Sequence, residues 1–287
     1  MTSPIAFAVI GGSGLYAMPG LTDVEERHIY TPFGDPSDAV VIGTYQGQRI
    51  AFLPRHGRGH RFSPSEVPYR ANIWALKSLG VRHVISVSAC GSLREHLKPR
   101  DIVVPDQLFD FTKGKRASTF FEGGLVGHVS VGSPFSASLR AALAQAVRDA
   151  GGTVHEGGTL ITIEGPRFST KAESLAYRAW GCDIIGMTAC PEAFLAREAE
   201  LDFAIMAHVT DYDVWHESEG EVTVEMVIQR LNDNLALAQK AIANLVSVVP
   251  TLPHESEGAM RFALMTARDR IPPETRERVR LLVGQYL

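Results

Sequence analysis

At 287 residues the chain is long enough for one large α/β domain, or two small ones, with a substantial core. Its 45% hydrophobic and 21% charged content is the balance of a soluble globular protein, and a formal charge of −4 gives no basic field for nucleic acid or anionic lipid. No apolar run approaches the ~18–20 residues of a membrane helix, and three cysteines without CxxC spacing fit free thiols in a reducing cytoplasm.

Residues 5–10 lack a basic flank and run straight into Gly11-Gly12, so they form a strand and not a signal peptide. Gly12 to Ala17 matches the G-x-G-x-x-A dinucleotide fingerprint. That fingerprint must open a helix, and Pro19 follows too soon for a long one. The acidic residue it needs ~20 positions later is also missing, because residues 31–36 form a loop. The NAD reading is therefore rejected. What survives is a glycine-rich turn whose amides and Ser13 hydroxyl suit a phosphate-sized anion.

Residues 40–45 and 49–53 are strands about the short turn Gln46-Gly47-Gln48. The second strand delivers Pro54-Arg55-His56-Gly57-Arg58-Gly59-His60. His56 and His60 have i,i+4 spacing, but two glycines oppose a helix there and with it a metal site. Basic residues on a glycine-rich loop at a strand end suit a second anion-binding element; a solvated basic loop is the alternative. Residues 68–79 predict a helix, with Ala71, Trp74, Ala75 and Leu79 on one face and Gly80 as its stop. Residues 83–88 are a strand ending at Ser88-Ala89-Cys90-Gly91-Ser92, where small residues let backbone approach a ligand. Sequence places no base beside Cys90, which is better read as a packed thiol than as a nucleophile. Residues 101–104 are a further strand, 110–127 a long surface loop, and 138–150 a helix closed by Gly151-Gly152.

Residues 159–163 lead into Glu164-Gly165-Pro166-Arg167-Phe168-Ser169-Thr170. Thr170 and Glu173 make a capping box, so a helix begins there and runs to Trp180. Phe168 is either core filling or a flat face for an aromatic ligand. Residues 183–187 are a strand, and Pro191 suits the first turn of a helix through Glu200. Residues 203–209 are apolar almost throughout and stop abruptly at Thr210-Asp211-Tyr212-Asp213. Such a run is a strand buried on both faces, as in a parallel sheet. Open α/β sheets bind ligands beyond the carboxyl ends of their strands. Two carboxylates one residue apart there suit a ligand offering hydrogen-bond donors, the alternative being a solvated acidic turn. A long helix is expected over 224–246, then a linker over 250–258 and a helical tail over 259–287, interrupted at Ile271-Pro272-Pro273. Alternating strands and helices across residues 1–250 argue for one α/β domain, with the 251–287 tail packed on it.

Six motifs now stand in order: Gly11-Gly-Ser-Gly-Leu15, Arg55-His-Gly57, Ser88-Ala-Cys-Gly-Ser-Leu93, Glu164-Gly-Pro-Arg-Phe-Ser169, Gly186-Met-Thr188 and Thr210-Asp-Tyr-Asp213. Together they resemble the S-methyl-5′-thioadenosine phosphorylase family, in the trimeric branch of the purine nucleoside phosphorylases. The resemblance implies the nucleoside phosphorylase fold: a single α/β domain with a mixed, distorted β-sheet surrounded by helices. It implies a homotrimer with active sites near subunit interfaces. It also implies phosphorolysis of methylthioadenosine to adenine and 5-methylthioribose 1-phosphate, in purine and methionine salvage, with inorganic phosphate as co-substrate and no cofactor or metal. Carried over position by position, Ser13, Arg55, His56, Ser88, Ala89 and Thr188 would hold phosphate. Met187 would lie against the ribose, with Cys90, Gly91, Phe168 and Ser169 around the base and Asp211 and Asp213 on its edge. His128 would reach a neighbouring subunit's 5′-substituent pocket, and Val224 with an apolar C-terminal residue would line the methylthio group. The tail departs most from the family pattern.

The chemistry needs these residue types. As the glycosidic bond breaks, negative charge builds on the purine and cationic character on the ribose. A phosphate held in line by fixed donors supports and then captures that ribose, which is positioning plus electrostatics. At N7 a carboxyl group with a raised pKa can supply a proton or a strong hydrogen bond, the role expected of Asp211. Three other functions compete. A phosphorylase of 6-oxopurine nucleosides or of methylthioinosine would present a donor opposite O6, where Asp211 and Asp213 favour a 6-amino group. A hydrolytic nucleosidase has no use for Arg55 and His56 as an anion clamp. A non-catalytic nucleotide sensor would not need the full donor set.

Overall fold

The computed structural model describes residues 4–216 and 222–287. Among these residues eleven strands join one sheet: β1 (Ile5–Gly11), β2 (Thr22–Arg27), β3 (Val40–Tyr45), β4 (Gln48–Pro54), β5 (His83–Ser92), β6 (Ile102–Val104), β7 (Gln107–Asp110), β8 (Val154–Glu156), β9 (Thr159–Thr162), β10 (Ile184–Gly186) and β11 (Asp202–Asp211). The helices are α1 (Tyr69–Ser78), α2 (Ala137–Asp149), α3 (Lys171–Ala179), α4 (Ala189–Glu198), α5 (Val224–Asp233), α6 (Leu235–Leu245) and α7 (Pro273–Val283). Among the described residues no helix is long and apolar enough to cross a membrane.

The sheet is mixed, and it divides at β5. That strand lies parallel to β1 over Val84–Ser86 and parallel to β11 along its length. Its last residues then run antiparallel to β10, Gly91 opposite Ile185 and Ser92 opposite Ile184. The strand thus continues beyond the stop expected at Ser88, because two neighbours pair with small residues that carry little strand preference of their own. Alternate residues of β1 feed opposite cores: Ala8 and Ile10 join the cluster that includes α1, α4 and α7, Phe7 and Val9 the one built with α2 and α6. Burial on both faces explains why these strands are near-continuous apolar runs.

The polar and exposed strands escape the pattern. β2 is exposed along nearly all its length at the sheet edge, and β7 and β8 are short and only partly covered, so none shows an apolar alternation. The helix expected over 224–246 is two, divided at Asn234. The 250–258 segment is no loose linker. Asp202, fully buried, accepts hydrogen bonds from the Glu255 and Ser256 N–H groups, and Glu200 accepts from Met260 N–H and the Tyr286 hydroxyl. A buried carboxylate needs such partners, and here they fasten the C-terminal residues. Residues 259–267 are turns rather than helix, with a bridge from Leu264 to Gly127. The 110–127 loop is held similarly. Glu198, pushed up to about 7 by burial, accepts from the Phe120 N–H and the Thr119 hydroxyl.

Candidate active site

Parallel strands β1, β4, β5 and β11 bring four chain segments to one end of the sheet. Gly11 pairs with Pro54, Ser88 with Ala207, and Gly91 with Asp211 across a bulge. Arg55 follows β4 directly, and its N–H donates to Gly11 O at 2.9 Å. Its side chain is buried and turns beneath the strand ends. Nε and Nη2 form a bidentate pair with Glu192 at 2.8 and 3.0 Å, Nη1 donates to Val87 O, and Nη2 donates to the Ser86 hydroxyl. Burial works against the charge, but the Glu192 carboxylate outweighs it and holds the guanidinium above its usual range. Of the five guanidinium N–H groups, these bonds occupy four, and the last is on Nη1. Arg55 is therefore first an internal strut.

Glu192 was not legible as part of the site. It is the one charged side chain near the start of an apolar stretch of α4, and it is fully buried. That isolation was the available signal, since carboxylates are almost never buried unpaired. The N-cap of the same helix is Thr188, buried, whose side chain makes no cap hydrogen bond. Arg55 thus touches both β5, one residue before Ser88, and the helix that Thr188 opens. Ser88 and Ala89 are half-buried at this junction. Ser13 begins a short 3-10 turn, Ser13–Ala17, not a long helix; its side chain lies outside what the structure describes.

His56 donates from Nδ1 to Phe62 O at 2.8 Å and stacks on His60, ring centroids 4.2 Å apart. A carbonyl can only accept, so the proton sits on Nδ1 and Nε2 carries a lone pair. Burial, then the Arg55 charge, lowers the ring to about 4. His56 is neutral near pH 7.

The acidic end of β11 is not a solvated turn. Asp211 and Asp213 are both buried. Asp211 accepts from the Thr210 hydroxyl at 2.7 Å and from the Asp213 N–H at 2.8 Å. The second bond closes an Asx turn and places Asp213 in the left-handed region at φ 52°, which aspartate tolerates better than most residues. Burial pushes the Asp213 carboxyl up to about 6; the Ser174 hydroxyl opposes the shift and the Asp211 charge adds to it. Asp213 Oδ2 has no hydrogen-bond partner among the described residues. Asp213 is thus a carboxyl of the pair that burial raises. A Cβ on Gly91 would stand 3.0 Å from Asp211 Oδ1 and 2.9 Å from the Ile185 side chain, so glycine keeps this wall thin.

The remaining base-side candidates gather nearby. The Thr210 hydroxyl oxygen also lies 3.2 Å from Cys90 O, and Ser169 is buried near Asp213. Cys90 is buried and its thiol is pushed well above the usual range by burial, so it is packing and not a nucleophile. Phe168 is half-buried just before the capping box of α3, where both reciprocal bonds between Thr170 and Glu173 are present. Met187 packs on Gly165, whose Cβ would lie 2.6 Å from its sulfur. Two further candidates are exposed. Val224, 61% exposed, opens α5, and His128 is exposed with its N–H donated to Ala263 O. Among the described residues no cluster of three His, Cys, Asp or Glu side chains is placed to hold a metal ion.

The mixed α/β sheet with these residues gathered at its strand ends belongs to a member of the phosphorylase superfamily, whose sequence model matches residues 6–247. The relatives are more particular. A protein of Chloroflexus aurantiacus named S-methyl-5′-thioadenosine phosphorylase is 55% identical over 97% of both chains. One of the same name from Geobacter sulfurreducens is 51% identical over 97% of this chain and 98% of its own. Among solved structures, a methylthioadenosine phosphorylase from an antarctic soil metagenomic library superposes with a TM-score of 0.93 at 47% identity, covering 98% of this chain and 99% of that one. The Schistosoma mansoni methylthioadenosine phosphorylase in complex with adenine gives 0.84 at 36% identity, over 90% and 98%. The chain belongs to the S-methyl-5′-thioadenosine phosphorylase family.

Proposed function

We infer that the chain catalyses phosphorolysis of S-methyl-5′-thioadenosine to adenine and 5-methylthioribose 1-phosphate, with inorganic phosphate as co-substrate. The observation that carries this reading is the buried Asp211/Asp213 pair at the end of β11. A carboxylate accepts from a 6-amino group, and a carboxyl raised toward neutrality donates to N7 as the base departs. Asp213 takes the donor role and Asp211 the acceptor role. On the other side, Ser88, Thr188, the spare Nη1 hydrogen of Arg55 and the amides near Ala89 hold the phosphate, together with the Ser13 turn. Neutral His56 presents Nε2 as an acceptor, which suits the single P–OH of the phosphate dianion. Preorganised donors of this kind stabilise charge without reorganising in the transition state. Met187 lies beneath the ribose, and Phe168, Ser169, Cys90 and Gly91 enclose the base.

The test is turnover of methylthioadenosine, methylthioinosine, adenosine and inosine, each with phosphate. Methylthioadenosine is expected to have the highest kcat/KM; a preference for either 6-oxopurine contradicts the base assignment.

The functional unit in this reading is a homotrimer in the cytoplasm. His128 supports it, being exposed beside Met265 (67% exposed) and Phe262 (91% exposed), a patch that suits a subunit boundary. The Met265 N–H is donated to Val126 O, and in this reading Met265 is the apolar C-terminal residue for a neighbour's methylthio pocket. Sedimentation should find three copies per active particle, and a fully active monomer contradicts this arrangement.

A further inference from the structure

Among the buried side chains of the 110–127 loop is one cation, Arg116, and its contacts do not belong to the loop. Arg116 is buried, its side chain only 2% exposed. Nη1 donates to Met187 O at 2.7 Å, to Cys190 O at 2.8 Å and to the Tyr69 hydroxyl at 3.2 Å. Nη2 donates to Glu164 O at 2.7 Å, and Nε reaches the Glu164 carboxylate at 3.4 Å. Three of these acceptors are main-chain carbonyls on two different segments, one leaving β9 and one leaving β10. The β9 segment carries Phe168 and Ser169; the β10 segment carries Met187 and Thr188. The two meet where Gly165 (φ 68°) lies against the Met187 sulfur, too close for any Cβ. A planar guanidinium with donors in a rigid fork is suited to fix carbonyls on separate segments, which a single ammonium is not.

We propose that Arg116 is a positioning residue for the reaction: its guanidinium sets the loop holding Met187 and Thr188 against the loop holding Phe168 and Ser169. Arg116 touches neither nucleoside nor phosphate. The inference rests on the functional reading above and deepens it, because the two loops supply the ribose-phosphate side and the base side of one cleft. Misplacing reacting groups by about an ångström costs on the order of 100-fold in rate, so a strut between these loops is coupled to turnover at a distance.

The test compares Arg116→Lys and Arg116→Ala with the wild type, varying phosphate and methylthioadenosine separately and following thermal unfolding alongside. Arg116→Lys is expected to fold and to lose about 10- to 100-fold in kcat/KM for both substrates together. A phosphate ligand would instead show its loss chiefly in the phosphate KM. Arg116→Ala is expected to lose more and to recover part of its activity in millimolar guanidinium ion. A folded Arg116→Lys with wild-type constants for both substrates overturns the inference alone. Absence of wild-type turnover in the same series overturns the functional reading, and the inference with it.

Discussion

Arg55→Ala is expected to lower the free energy of unfolding by about 3–5 kcal/mol, because it leaves the Glu192 carboxylate buried without its partner. Glu192 is fully buried and receives both Nε and Nη2 of Arg55, so the substitution removes two of its hydrogen bonds at once. The same substitution removes the hydrogen that Nη1 offers to phosphate. A charge-assisted bond contributes ~1.5–3 kcal/mol, so the phosphate KM should rise by roughly 10- to 100-fold, far more than the nucleoside KM. The two effects separate in the double variant Arg55→Ala/Glu192→Ala. Removing both charges should restore part of the stability, and phosphate affinity should stay low. Chemical denaturation and phosphate titration read the two quantities independently. A double variant no more stable than Arg55→Ala denies the strut, and an unchanged phosphate KM removes Arg55 from the anion site.

The second large effect concerns the base. Asp211→Asn should weaken 6-aminopurine nucleosides and relatively favour 6-oxopurine ones. Asp211 accepts from Thr210 and from the Asp213 N–H, an acceptor-only arrangement. An amide presents one acceptor and a fixed NH₂ donor, and the donor answers O6 where the carboxylate answered the 6-amino group. Mispaired polar groups in a closed site cost ~1–3 kcal/mol, so the preference for methylthioadenosine over methylthioinosine should fall by one to two powers of ten. Asp213→Asn is the contrasting case. Its carboxyl is already raised to about 6, and an amide resembles the neutral acid in keeping a donor. Its preference ratio should therefore move less than that of Asp211→Asn. The ratio of specificity constants is the quantity to measure, since total activity falls in both. An unchanged ratio in Asp211→Asn means that the end of β11 does not read the base.

What could be seen in the sequence follows from what local chemistry reports. Strands buried on both faces, such as β1 and β11, are uniform apolar runs, and the residues at their ends stood out by contrast. The Thr170–Glu173 capping box was legible because both of its bonds lie within one turn. The edge strand β2 was invisible, since neither of its faces is buried. The division at Asn234 was hidden because the apolar stripe continues through it, and asparagine is only a weak helix former. The Arg55–Glu192 pair joins residues 137 apart, and the bonds of Arg116 to Glu164, Met187 and Cys190 span 48 to 74. No window of sequence contains such pairs. In sequence Arg116 is one more charge on a surface loop for the same reason: its acceptors are chiefly carbonyls, which every residue possesses and none advertises. The raised Asp213 carboxyl depends on burial, which is not encoded in the spacing of the two carboxylates.

In the proposed reaction the cleft passes the ribose to phosphate and not to water. The direct measurement is purified wild-type protein with methylthioadenosine, following free adenine and inorganic phosphate together in phosphate-containing and phosphate-free buffer. One phosphate is expected to be consumed for each adenine released, with 5-methylthioribose 1-phosphate as the sugar product and no sustained release without phosphate. Adenine released at the same rate without phosphate, with free methylthioribose as the product, would contradict it.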